Sequence, residues 1–177
     1  MASTTTTTTP SKSAAKAIRV RKITPFLWFD DQIEDAVEFY VSTFDNSRVL
    51  NISRDPVGVG GAKGRVLTAS FVLAGQEFMA LNGGPQFKFT EAISFFVDCE
   101  TQEQVDALWA RLTSGGGEES QCGWLKDKFG LSWQIVPRAL GEMLRDKDPE
   151  KAKRVMEAML QMKKIDIAGL KRAYDQR

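Results

Sequence analysis

Residues 29–44 and 97–112 read as two copies of one pattern, and this internal repeat constrains the fold more than any other feature. At an offset of 68, Phe29 falls on Val97, Asp30 on Asp98, Val37 on Val105, Glu38 on Asp106 and Phe44 on Leu112. At an offset of 55, Gly75 falls on Gly130, Phe78 on Trp133, Met79 on Gln134 and Leu81 on Val136. The second copy is thus 13 residues shorter, a gap close to the length of the glycine-rich loop at residues 56–64. Repetition on this scale means one supersecondary unit built twice.

Each copy has the same order of elements. Residues 23–29 (ITPFLWF) read as a strand, after which Asp31 and Glu34 have the spacing of a helix capping box. Ile33, Ala36, Val37, Tyr40, Val41 and Phe44 then fall on one face of an amphipathic helix. Three strands are expected at 47–54, 65–74 and 76–82, with Gly75 at the tight link between the last two. In the second copy a strand at 91–99 leads to a capping box at Thr101 and Gln104. A helix carrying Val105, Leu108, Trp109 and Leu112 follows and ends at three glycines. A hairpin over residues 122–137 (CGWLKDKFGLSWQIVP) closes the unit. The expected fold is α+β: two β-α-β-β-β modules forming a cupped mixed sheet, with C-terminal helices. Its divisions are a tail at 1–21 and a single domain at 22–177, split into module one (22–84), module two (85–137) and helices (138–177). Asp148-Pro149 caps and starts one of those helices. The methionines clustered at 143, 156, 159 and 162 are expected to pack against the sheet or a partner subunit.

Composition removes several function classes. The chain has no histidine among 177 residues, so the usual neutral-pH general base, the histidine-activated nucleophiles and the commonest metal ligand are all missing. Five basic and no acidic residues lie in 1–29, leaving 19 basic and 23 acidic residues in the body. A mildly acidic body argues against nucleic-acid binding. No apolar run approaches the roughly 18 residues of a membrane span. The two cysteines form no disulfide framework, which fits a reducing, cytoplasmic location. Residues 1–17 are a low-complexity Thr/Ser/Ala/Lys segment, expected to be disordered. Import into a mitochondrion or other organelle through residues 1–22 is the alternative location.

The combination FLWF-DD…A-x-x-FY and CGW-x-x-D-x-FG-x-SW-x-IVP, together with NGGPQFKFTEAISF at 82–95 and MKKIDIAGL at 162–170, resembles the vicinal oxygen chelate superfamily. More narrowly it is similar to the PhnB-like branch, whose members often carry the label 3-demethylubiquinone-9 3-methyltransferase. The resemblance covers residues 22–175 and implies a homodimer. In metal-using relatives each module supplies one ligand from its first strand and one from its last. Carried over, those positions are Thr24 or Pro25, Met79, Ala92 or Ser94, and Gln134. One amide oxygen does not hold a divalent ion, so neither metal nor other cofactor is expected.

The expected function is therefore a metal-independent small-molecule binding protein of the glyoxalase/bleomycin resistance type, with its ligand held in the cup of the sheet. Trp28, Met79, Ser94, Trp124, Trp133 and Gln134 are the candidate ligand-binding residues. The alternative is a metal-independent enzyme on a small organic substrate, using Gln134 and the thiol of Cys122. Whether the chain is an enzyme stays open at this point. A methyltransferase, as the family label suggests, is a further alternative. The loop at 57–64 (VGVGGAKG) meets neither nucleotide-binding fingerprint, because it joins two strands and its lysine is not followed by Ser or Thr. It is expected to be a mobile lid over the cavity. Asp127 is expected to form a turn.

Overall fold

A computed structural model describes residues 18–58 and 63–176. Module one runs β1 (Phe26–Phe29), α1 (Ile33–Thr43), β2 (Arg48–Arg54), β3 (Val66–Leu73) and β4 (Gln76–Asn82). Module two runs β5 (Ser94–Cys99), α2 (Gln102–Thr113), β6 (Glu118–Glu119), β7 (Trp124–Lys126) and β8 (Ser132–Pro137). Three helices follow: α3 (Arg138–Leu144), α4 (Pro149–Leu160) and α5 (Ile167–Asp175). The expected low-complexity tail at 1–17 and the tip of the glycine-rich loop at 59–62 lie outside the described residues.

Each module forms a four-stranded sheet of identical topology, β1-β4-β3-β2 and β5-β8-β7-β6. The first and last strands of each module pair in parallel, and the remaining pairs are antiparallel. The two β-α-β-β-β units of the sequence repeat are thus present as two separate mixed sheets. The shorter second copy loses more than a loop. Strands β6 and β7 have 2 and 3 residues where β2 and β3 have 7 and 8.

Two local expectations differ from the structure. At α2 Thr101 caps as read, accepting from the Gln104 amide, while the Gln104 side chain reaches one residue further back and accepts from the Glu100 amide. At α1 it does not. Asp31 is drawn into an ion pair with Arg65, and the first free amide of the helix, that of Ile33, donates instead to Asn82 Oδ1 at 3.2 Å. Asn82 Nδ2 donates to the Val66 carbonyl at 2.9 Å, so one buried amide joins the end of β4 to both β3 and the start of α1. The link between β3 and β4 is the two-residue turn expected, with Ala74 and Gly75 both at positive φ (46° and 85°).

One core serves both modules. The inward faces of the two sheets, through Leu27, Phe29, Phe71, Phe78, Trp133 and Ile135, pack with α1 and α2 in a single apolar cluster. Tyr40 on α1 lies at its centre, fully buried, with its ring 5.6 Å from that of Trp133 and 5.8 Å from Phe129 across the module boundary. A second cluster of Leu140, Met143, Val155, Ile165 and Leu170 holds α3–α5 together. Met143, Met159 and Met162 pack there, while Met156 stays 41% exposed. No helix among the described residues is long and apolar enough to cross a membrane.

Candidate functional site

Side chains alternate across a strand, so β8 divides its residues between core and open face. Trp133 and Ile135 point into the shared core; Ser132, Gln134 and Val136 take the other face, where Ser132 is buried, Val136 packs against the C-terminal helices and Gln134 is half-buried. On that face Gln134 lies between Phe96 of β5 and Trp124 of β7 in the pairing register. Its Nε2 donates to Ser94 Oγ at 2.9 Å. Among the described residues the amide oxygen has no donor, and the Ser94 hydroxyl keeps its own proton to give. Ser94, Trp124 and Gln134 are therefore brought together, with Phe96 (60% exposed) as a residue the sequence reading missed.

The other candidates go elsewhere. Met79 is on the exposed face of the module-one sheet, paired with Phe26 (52% exposed), and so on a different sheet from Gln134. Trp28 shares that face, but its indole is turned to the crossover between modules. Its Nε1 donates to the Gly84 carbonyl at 2.8 Å, and Phe87 meets the ring edge-on at 4.9 Å. Trp133 does not wall the Gln134 face. It is 3% exposed in the core, stacked 5.2 Å from Phe44, because its place in the β8 alternation is opposite to that of Gln134.

Cys122 also leaves the site. It takes a positive φ of 57°, and the Cys122 and Gly123 amides donate to the Met162 and Lys163 carbonyls. Its thiol faces the Met159 carbonyl at 3.7 Å, so the residue joins the hairpin to the C-terminal helices. Cys99 is buried, and burial followed by the neighbouring Asp98 charge raises its thiol to about 11. At pH 8 only about one part in a thousand of Cys99 is thiolate. Iodoacetamide should therefore label native protein at Cys122 first. The Cys99 rate, read by peptide mass spectrometry, should rise about tenfold per pH unit up to its raised value. Equal labelling of both thiols at pH 8 would contradict this placement.

Asp127 is a turn-former, as expected, and also much more. Its carboxylate is 2% exposed and accepts four hydrogen bonds. Oδ1 takes the Phe129 and Leu131 amides at 2.9 and 3.1 Å, and Oδ2 takes the Tyr40 hydroxyl and Trp133 Nε1 at 2.8 Å each. Burial raises its carboxyl above the ordinary value, and the four donors pull the other way. On β8, Ser132 is 1% exposed, and among the described residues its hydroxyl has no partner. It lines a cavity of about 130 Å³ next to Trp124, together with Glu91, Glu118 and Lys126. The Lys126 ammonium is ion-paired with Glu91 across that cavity.

These residues do not fit a divalent metal ion. The carried-over positions present the thioether of Met79, the hydroxyl of Ser94 and the amide of Gln134, and they lie on two different sheets. Among the described residues no group of three His, Cys, Asp or Glu side chains could hold a metal ion.

The family described as 3-demethylubiquinone-9 3-methyltransferase matches residues 21–136. The chain belongs to this family. In the structure comparison it is 39% identical to a PhnB protein from Bacillus cereus. That match has a TM-score of 0.62 and covers 66% of this chain and 99% of the other. Protein PA1353 from Pseudomonas aeruginosa, at 18% identity, matches with a TM-score of 0.54 over 64% of this chain and 95% of its own. No curated protein matches. The PhnB-like assignment drawn from the sequence motifs thus holds. The matched region ends at Val136, so α3–α5 lie beyond it.

Proposed function

We propose that this PhnB-like protein binds a small organic molecule on the open face of the module-two sheet, without a metal. The observation that carries this reading is the Gln134 amide. Its NH₂ end is held by Ser94, which orients the carbonyl oxygen and the serine proton as an acceptor and a donor between the rings of Phe96 and Trp124. A few fixed polar groups on an aromatic wall are what a ligand site needs. The facing wall is supplied by a second copy. Phe26 and Met79 of module one and Phe96 of module two are exposed, and the two sheets share a core on their other sides. A homodimer that opposes the module-one face of one copy to the module-two face of the other covers these rings.

Binding is favoured over turnover because Cys122 is directed at α4. Gln134 remains, and a neutral amide is neither acid nor base near pH 7. The family description names a methyl transfer. A nucleoside-type methyl donor wants a glycine-rich turn from strand to helix. Here β1 reaches α1 through Asp30-Asp31-Gln32 and β5 reaches α2 through Glu100-Thr101, with no glycine in either turn. The residues do not fit such a group.

A thermal-shift screen of metabolites and drugs should find a ligand whose stabilisation falls in Gln134→Ala and in Trp124→Ala. Unchanged stabilisation in both variants would remove the site from this face. The wild-type chain should run at twice its own mass in light scattering, and Phe96→Glu should shift it toward monomer. A monomeric wild type would leave the facing wall unexplained and defeat the dimer reading.

A further inference from the structure

The crossover from β4 to β5 carries alternating Phe87, Lys88 and Phe89 and lies over a cleft of about 390 Å³ between the modules. Trp28, Phe87 and Phe89 wall one side of it; the β7–β8 turn with Lys126 and Lys128 forms the other. The aromatic parts are held in place from below. Trp28 is bound to Gly84, and Phe89 packs 5.2 Å from Phe29 in the core. Phe87 is anchored only through its edge contact with Trp28 and is 63% exposed.

The charges divide unevenly. Lys126 is balanced by Glu91, with Glu118 close by. Among the described residues neither Lys88 nor Lys128 has a carboxylate partner. The Lys128 ammonium lies over the rings of Phe39 and Phe129 at 4.9 and 5.0 Å, an arrangement that leaves its donors open on the side away from the rings. Asp30 and Glu118 are the acids of the lining, and neither is ion-paired to Lys88 or Lys128. Lys88 and Lys128 thus line a cleft walled by aromatic rings without an ion-pair partner of their own.

We infer that this cleft is a second ligand site, separate from Gln134, that takes an aromatic carboxylate: its ring against Trp28 and Phe87 and its anionic end toward Lys88 and Lys128. The class follows from the surroundings. A flat apolar ring matches the Trp28–Phe87 corner, and an anion answers Lys88 and Lys128, the lysines of the lining that no ion pair holds. The cleft has room for a one- or two-ring molecule.

The test uses the full-length ¹⁵N-labelled chain, titrated separately with benzoate and with benzylamine. Benzoate should shift the Trp28 indole N–H and the Gly84 and Phe87 amides, with a dissociation constant on the order of 1 mM, as befits so small a ligand. Lys88→Glu and Phe87→Ala alter exposed side chains, Phe87 touching the Trp28 ring by its edge, and each should weaken benzoate by roughly fivefold while Lys88→Glu leaves the Trp28 contacts intact. Gln134→Ala should leave it unchanged, so failure here and failure of the Gln134 site are told apart. Any of four results would overturn the inference: benzylamine binding as well as benzoate, shifts centred on Ser94 and Gln134, no effect of the two cleft variants, or no shift by about 20 mM benzoate.

Discussion

Asp127→Ala is expected to cost about 4 kcal/mol of folding stability, the largest single-residue loss foreseen outside the aromatic core. The substitution removes the acceptor of four donors at once, namely the Tyr40 hydroxyl, the Trp133 indole N–H and the Phe129 and Leu131 amides. Tyr40 and Trp133 are at most 3% exposed, so water does not replace the lost partner without opening the core. Tyr40→Phe deletes one of the four bonds and should cost about 1 kcal/mol. Asp127→Asn should fall between them, since an amide oxygen still serves the turn but its NH₂ end meets the donor-only Trp133 N–H. Urea denaturation of the three variants checks the order. A loss below about 1 kcal/mol for Asp127→Ala would mean that the buried carboxylate is not what ties α1 to the hairpin. The pH dependence has a definite sign. The folded protein holds the Asp127 proton more tightly than the unfolded chain does. Its contribution therefore falls as pH rises from the ordinary carboxylate range through the raised value, and that component should vanish in Asp127→Asn.

The second large effect is at the crossover. A methyl group added at Gly83 would lie 2.2, 2.4 and 2.6 Å from three atoms of the Trp28 ring. That ring is fixed by its bond to Gly84 and by Phe87, so it has nowhere to retreat. Gly83→Ala should cost about 2–3 kcal/mol through overpacking. Gly84 supplies the contrast. It has a φ of +89° and open space around its missing Cβ, so Gly84→Ala should cost only the left-handed strain, about 1 kcal/mol. Trp28→Phe in the Gly83→Ala background should recover more than 1 kcal/mol of the loss in a double-mutant cycle, roughly the clash itself. Additive losses would show that Gly83 is needed for some reason other than the indole. Because the same ring walls the crossover cleft, Gly83→Ala should also disturb benzoate binding.

Much of the fold was legible because periodicity and punctuation are local. The 3.6-residue stripes placed α1 and α2, glycine placed the Ala74-Gly75 turn, and Thr101 with Gln104 placed the start of α2. The Asp31 box was misread for a non-local reason. Arg65, 34 residues away, claims Asp31, and Asn82, 49 residues on from Ile33, takes over the cap. The shortening of the second module was legible as a length and misplaced as a location, because a register offset counts residues without saying which strand loses them.

For the candidate site the division is sharper. Alternation along β8 separates Trp133 from Gln134, so the sequence already contained the reason that both could not share one wall. Which of them faced the core was a matter of α1 and its C-cap, where Tyr40 and Phe44 come to rest on Trp133. Asp127 shows the same limit. Asp-x-x-Gly announces a turn, but nothing local announces that a tyrosine 87 residues earlier will share the carboxylate.

By itself, then, the sequence determined the repeated β-α-β-β-β order, the family and the lack of an imidazole, because each is a property of residue identity and spacing along the chain. Tertiary structure alone decided that Gln134 stands with Ser94, Phe96 and Trp124, that Cys122 serves the C-terminal helices, and that Lys88 and Lys128 meet over one cleft. Those are distances between elements far apart in the chain, and they exist only once one core has drawn two sheets and their helices together.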